Sequence, residues 1–205
     1  RVIPAFPANA TPGLRPRVRP WVEYPVIGLM LLIPVLDLAA GWLSLPGGTV
    51  VALLMLAASL QLVRLAGWQP WRTRGHALLA MLPLAYAWIP LYLLLRAAAT
   101  ADPAMASIAL HALVVGAMAS LMLAMMTRSA LGHTGRALRA GPVELACFAA
   151  IQAAALGRVG GPLLAPGAHM LWITVSGVLA VGAFAIFAAG YWPILTRPRI
   201  DGRSG

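Results

Sequence analysis

The stretch AMASIALHALVVGAMASLMLAMMTRSALGHTGRALR, residues 104–139, decides the fold: an apolar run with one histidine inside it, then a basic turn with a second. Its first 23 residues, 104–126, carry no formal charge, and at ~1.5 Å per residue a helix of that length crosses a bilayer. His111 is then an imidazole within the membrane. An ionisable group there is a functional candidate by default, because hydrocarbon does not solvate its charge. His133 follows 22 residues later, roughly 33 Å along a straight helix, too far for one metal ion to touch both. Ligation by both requires two sites on opposite sides of the membrane.

Outward from that stretch the rest of the chain has the same character. Its 205 residues are 61% hydrophobic and 10% charged, with mean hydropathy +0.85, a composition of polytopic membrane proteins and not of soluble domains. The formal net charge of +10 comes from arginines alone. They cluster between apolar runs and form no single basic domain, so the charge indicates membrane topology and not a nucleic-acid partner. The single cysteine, Cys147, lies in an apolar stretch; disulfides within the chain, CxxC redox chemistry and thiolate zinc sites are excluded, and inert packing is expected. The chain begins with Arg1 and shows no basic-then-apolar leader with a cleavage site, so a fragment or a missing N-terminal part is expected. There is no GxxxxGK[ST] loop, HExxH helix or GxSxG elbow, and five scattered acids offer no hydrolase pair.

Six apolar segments follow, roughly 24–45, 46–63, 77–95, 104–126, 142–157 with an extension, and 170–195. Thirteen of the fifteen arginines fall in the leader, after spans two and four, or in the tail, while only Arg96 and Arg158 belong to the alternate side. The expected fold is therefore an all-α polytopic transmembrane bundle of about six spans with both termini cytoplasmic. Residues 1–22 form a basic cytoplasmic leader or inter-half linker, 23–196 the membrane domain and 197–205 a basic tail. Leu45-Pro46-Gly47-Gly48 and Gly160-Gly161-Pro162 are expected as tight outer turns. Pro83 and Pro90 favour a kink in span three.

Span four places Ala112, Gly116, Ser120 and Ala124 at intervals of four, a face on which helices approach closely. Another face carries His111, Met118, Met122 and Met125. Thioethers beside an imidazole suggest copper, but the nearest methionine of that series is about 10 Å away along the axis, and ordinary packing is the better reading.

Helix bundles hold haem with imidazoles from facing helices, and the chain allows an outer pair, His111 with His169, and an inner pair, His76 with His133. Each has a plain alternative. His111 is either a ligand or proton carrier, or is satisfied by a backbone carbonyl; His133 meets the last helix carbonyls; His76 and His169 are boundary residues. Asp37, mid-span, is a proton relay or a hydrogen-bonded packing residue. Arg96 and Arg158 either hold haem propionates or snorkel to the interface.

HALVVGAMASLMLAMMTRSALGHTGRAL (111–138) resembles the signature of the NnrS family, bacterial membrane proteins of nitric oxide metabolism described as containing haem and copper. RVIPAFPANA at the start, LAYAWIPLYLLL (84–95) and the closing YWPILTRPRIDGRSG fit in order, with MTRSALGHTGR the most specific piece. The resemblance implies a C-terminal half of a protein about twice this length with roughly twelve spans, in the bacterial inner membrane. Its partners would be the bilayer, the absent half or another membrane subunit, and nitric oxide. It also implies His111 and His133 as metal ligands, with Arg128 and Arg136 as supports for the cofactor. Where the family has histidines, this chain has Pro83 and Gln61, which leaves full haem and copper loading in question. The rival readings are half of a proton-coupled transporter using Asp37 and His111, and a structural subunit of a respiratory complex.

Overall fold

The computed structural model describes residues 2–10, 15–43 and 45–200, which are mostly helical, with no strand among them. Within lipid every backbone N–H and C=O must be satisfied inside the segment, so long apolar runs fold as helices. Six are long and apolar enough to span a membrane: Pro20–Ala39 (α2), Gly47–Gly67 (α3), Ala77–Ala98, Ala104–His133, Pro142–Leu164 (α8) and Pro166–Thr196. A short helix, α1 (Val2–Ala10), precedes them in the leader. The tail beyond residue 200, with Arg203, and Arg1 lie outside the described residues.

Span three is broken as its prolines require. It divides into α4 (Ala77–Tyr86) and α5 (Trp88–Ala98) at Ala87. Pro90 has no N–H for the Tyr86 carbonyl and its ring crowds that carbonyl, so the ladder is interrupted there. Span four is also composite: α6 (Ala104–His111), a π-helical stretch Ala112–Ala119, and α7 (Ser120–His133). The last span consists of a 3-10 turn, Pro166–Ala168, and α9 (His169–Thr196).

Two expectations need correcting. Gly160-Gly161-Pro162 is not a turn, since α8 runs through it and the reversal is made by Pro166–Ala168. Gly161 serves packing: a Cβ there would lie 2.2 Å from the Trp172 ring. His133 is not in a loop but is the last residue of α7. The helix continues past the charged Arg128 and stops where Gly135 takes a positive φ of 72°.

The break in span three joins two packing regions. Leu78, Met81 and Leu82 of α4 pack with Leu123 of α7, Ile151 of α8 and Tyr191 of α9. Leu93 and Ala97 of α5 instead join Leu54 and Ala58 of α3 and Ile33 of α2. A third group, Trp88 with Ile108, Ala112 and Ala155, bridges them. Lipid tails compete with apolar side chains, so association depends on close packing more than on burial from water. Ala112, Gly116, Ser120 and Ala124 are all buried, as their spacing predicts. Met118 and Met122 are 52% exposed, whereas Met125 packs against the core, so the methionines of that series do not share one surface.

The basic connections meet at one end of the bundle. The Arg17 N–H donates to the Gly67 carbonyl at 2.8 Å, joining the leader to the end of α3. Arg128 lies over the Phe6 ring at 4.2 Å, and the Ile200 N–H reaches the Thr134 carbonyl at 3.3 Å. Arg96 and Arg158 sit on segments at the opposite end, Arg96 in the last turn of α5.

Candidate functional site

At the arginine-poor end a cavity of about 300 Å³ is lined by His111, His169, Arg158 and Asp102, with Ser107, Ile108, Pro162 and Pro166 among its walls. Three spans contribute its polar groups: α6 gives His111, α8 gives Arg158 and α9 begins with His169. Asp102 precedes α6, and its Oδ1 accepts from the Ala104 N–H at 3.0 Å. The outer histidine pair expected from the sequence therefore lines one cavity, together with the expected arginine.

His111 has a defined orientation. Its Nδ1 is 2.6 Å from the Ser107 carbonyl oxygen one turn earlier. A carbonyl only accepts, so this bond needs the proton on Nδ1, and in the neutral ring of that tautomer Nε2 is the acceptor nitrogen. This bond satisfies the plain reading of His111, and it is also the arrangement that metal-ligating histidines use to fix ring and tautomer. The π-helical stretch begins at the next residue, Ala112; such wide turns occur often at functional sites.

The other candidates lie at the arginine-rich end. A larger cavity, about 590 Å³, is lined by His76, Arg128 and Arg139 with Leu78, Leu79, Leu138 and Leu145. Neither His133 nor Arg136 lines it, so the inner pair expected from the sequence, His76 with His133, does not share that cavity. The GHTGR motif has a local structural role. The Arg136 N–H donates to the Leu131 carbonyl at 2.9 Å and the Gly135 N–H to the Gly132 carbonyl at 3.3 Å, a Schellman cap that needs Gly135 in the left-handed region. His133 is exposed on the last turn. The Arg136 guanidinium makes a long 3.5 Å contact to the Ile194 carbonyl.

Polar pairs that the sequence did not couple link the spans. The Trp88 indole donates to Gln152 Oε1 at 3.0 Å, and Gln152 Nε2 to Ser120 Oγ at 2.8 Å. Arg64 holds Glu23 through two bonds, 2.9 and 2.6 Å, and donates to the Tyr86 hydroxyl at 3.1 Å; Tyr86 donates to Gln61. Gln61 thus occupies its position as an acceptor. Asp37 is paired with Arg96, which also donates to the Tyr92 hydroxyl. Gln61, Ser120 and Gln152 lie within spans, but Asp37 is in the last turn of α2 and not mid-span as expected, and Glu23, Arg64 and Arg96 also lie in end turns; partners on other helices cannot be read from spacing.

Among the described residues no group of three His, Cys, Asp or Glu side chains could hold a metal ion. No curated protein and no solved structure gives a significant match to the chain. A family model described as NnrS protein matches residues 1–199. That match covers nearly the whole sequence, GHTGR cap and His111 included, and on it the chain belongs to the NnrS family.

Proposed function

We propose that this chain works in a haem- and copper-containing protein of the bacterial inner membrane that takes part in nitric oxide metabolism and protects against nitrosative stress. The supporting observation is the outer cavity, where the bond to Ser107 makes Nε2 the acceptor nitrogen of His111, with His169 and Arg158 on the same walls. Haem brings four nitrogen ligands of its own, so one or two imidazoles complete its iron; this donor set fits it. When bound, haem iron supplies a centre that accepts small diatomic ligands. The Ser107 carbonyl holds the His111 ring, Arg158 offers a guanidinium to a carboxylate, and Ile108, Pro162 and Pro166 keep the walls apolar.

Among the described residues no three His, Cys, Asp or Glu side chains cluster, so copper would take part of its ligands from another membrane segment or subunit. At the arginine-rich end, His76 and Arg128 share a cavity that a further ligand group could enter, whereas His133 and Arg136, the motif's other candidates, lie outside it and would serve a ligand only from its rim. The transporter reading is less well supported, because Asp37 is held by Arg96 and is not a free acid.

The test is a haem spectrum and metal analysis on protein expressed with its native upstream sequence. His111→Ala and His169→Ala should each weaken haem binding roughly tenfold or more, seen as loss of the Soret band. Unchanged spectra in both variants would remove the outer cavity from the ligand set. Absence of haem together with substrate-dependent proton flux would favour the transporter instead.

A further inference from the structure

A second polar cavity, of about 270 Å³, lies at the arginine-rich end between the starts of α2 and the end of α3. Its walls include Arg17, Arg19, Arg64, Glu23 and Gln69. Arg64 and Glu23 neutralise each other through their two-bond pair. Arg17 and Arg19 are left in excess, and neither has an acidic partner among the described residues. The Arg19 guanidinium lies 5.6 Å from the centroid of the Trp21 ring.

Backbone geometry fixes the position of this charge. The Arg17 N–H donates to the Gly67 carbonyl at 2.8 Å, and a Cβ on Gly67 would stand 2.9 Å from the Arg17 carbonyl oxygen. The extended segment before α2 is therefore clasped to the end of α3, and this contact depends on glycine. Around it Trp21 and Tyr24 are 62% and 75% exposed, amphipathic rings of the kind that sit at headgroup level. Basic pockets between spans at this depth select anionic headgroups by charge-assisted hydrogen bonds.

We propose that the cavity formed by Arg17, Arg19, the Glu23–Arg64 pair and Gln69 binds a phosphate group, supplied by an anionic phospholipid of the adjoining leaflet or by free phosphate. The site is independent of the haem reading, because none of its residues belongs to the outer cavity.

Purified full-length protein is titrated with phosphatidylglycerol and, separately, phosphatidylcholine, and bound lipid is read by native mass spectrometry. A further arm adds inorganic phosphate and follows the thermal unfolding midpoint. Wild type should retain phosphatidylglycerol over phosphatidylcholine, and Arg17→Ala with Arg19→Ala should reduce that retention about tenfold or more. Arg15→Ala, outside the cavity, should leave it unchanged, and Arg17→Lys with Arg19→Lys should keep most of it. Gly67→Ala keeps every charge but displaces Arg17, and it should lose the preference. Stabilisation of wild type, but not of the double alanine variant, by inorganic phosphate identifies free phosphate as the source. The proposal is overturned if wild type shows neither lipid preference nor phosphate stabilisation, if Arg15→Ala matches the double variant, or if Gly67→Ala binds as wild type does.

Discussion

Glu144 shows how one carboxylate serves two helices. Its Oε2 accepts from the Gly141 N–H at 2.6 Å, capping the start of α8, and its Oε1 accepts from the Tyr191 hydroxyl of α9. Glu144 is buried, so removing either bond leaves a polar group unsatisfied, which costs about 1–3 kcal/mol. Glu144→Ala should destabilise the protein by that amount. Tyr191→Phe, which keeps the ring stacked 4.5 Å from Phe187, should lose about 1 kcal/mol. Unfolding in detergent followed by circular dichroism measures both, and equal losses in Glu144→Gln and Glu144→Ala would count against the acceptor role. The Asp37–Arg96 pair differs in exposure: the Asp37 side chain is 49% exposed, so Asp37→Asn should change stability by no more than about 1 kcal/mol. At this scale His111 and a backbone carbonyl as its partner were both legible in the sequence, but not that the carbonyl is Ser107's, because every residue carries one. Tyr191, 47 residues from Glu144, could not be paired with it without knowing that α8 and α9 are neighbours.

Glycines set how closely the helices approach. A Cβ on Gly116, within the π-helical stretch, would lie 2.4 Å from the Trp88 ring, so Gly116→Ala should displace α5 and cost about 1–3 kcal/mol by overpacking. Gly177 of α9 has nothing within 4 Å, and Gly177→Ala should be neutral or stabilising by about 0.4–1 kcal/mol. Comparing the unfolding midpoints of the two variants separates crowding from helix propensity; equal shifts would remove the role given to Trp88. Element existence was legible because runs of about 20 apolar residues admit only a helix in lipid. The small-residue face of span four was legible for the same reason of spacing. The Gly160-Gly161-Pro162 reading failed because turn chemistry from water was applied inside a span. There the remaining helix bonds are worth keeping, and Gly161 makes room for Trp172.

Across the whole molecule, charge and packing agree. Contacts between leader, α3 end, α7 end and tail gather the arginine-bearing connections at one end, and the outer cavity with Arg158 occupies the other. The alternation of basic and nearly neutral loops made this arrangement legible, since one span more or fewer would have scattered the arginines over both ends. The positive-inside rule then predicts that the arginine-rich end faces the cytoplasm and the His111 cavity faces away from it. Gly75 and Gly167 are exposed positions on opposite ends with nothing within 4 Å of a built Cβ. In a Cys147→Ala background, which removes the buried native thiol, Gly167→Cys should react with a membrane-impermeant maleimide in intact spheroplasts. Gly75→Cys should react only after lysis. The reverse pattern would turn the bundle over and open the His111 cavity to the cytoplasm. Labelling of both positions from one side would require an odd number of crossings between residues 75 and 167 to be even, which the three intervening spans, Ala77–Ala98, Ala104–His133 and Pro142–Leu164, do not allow.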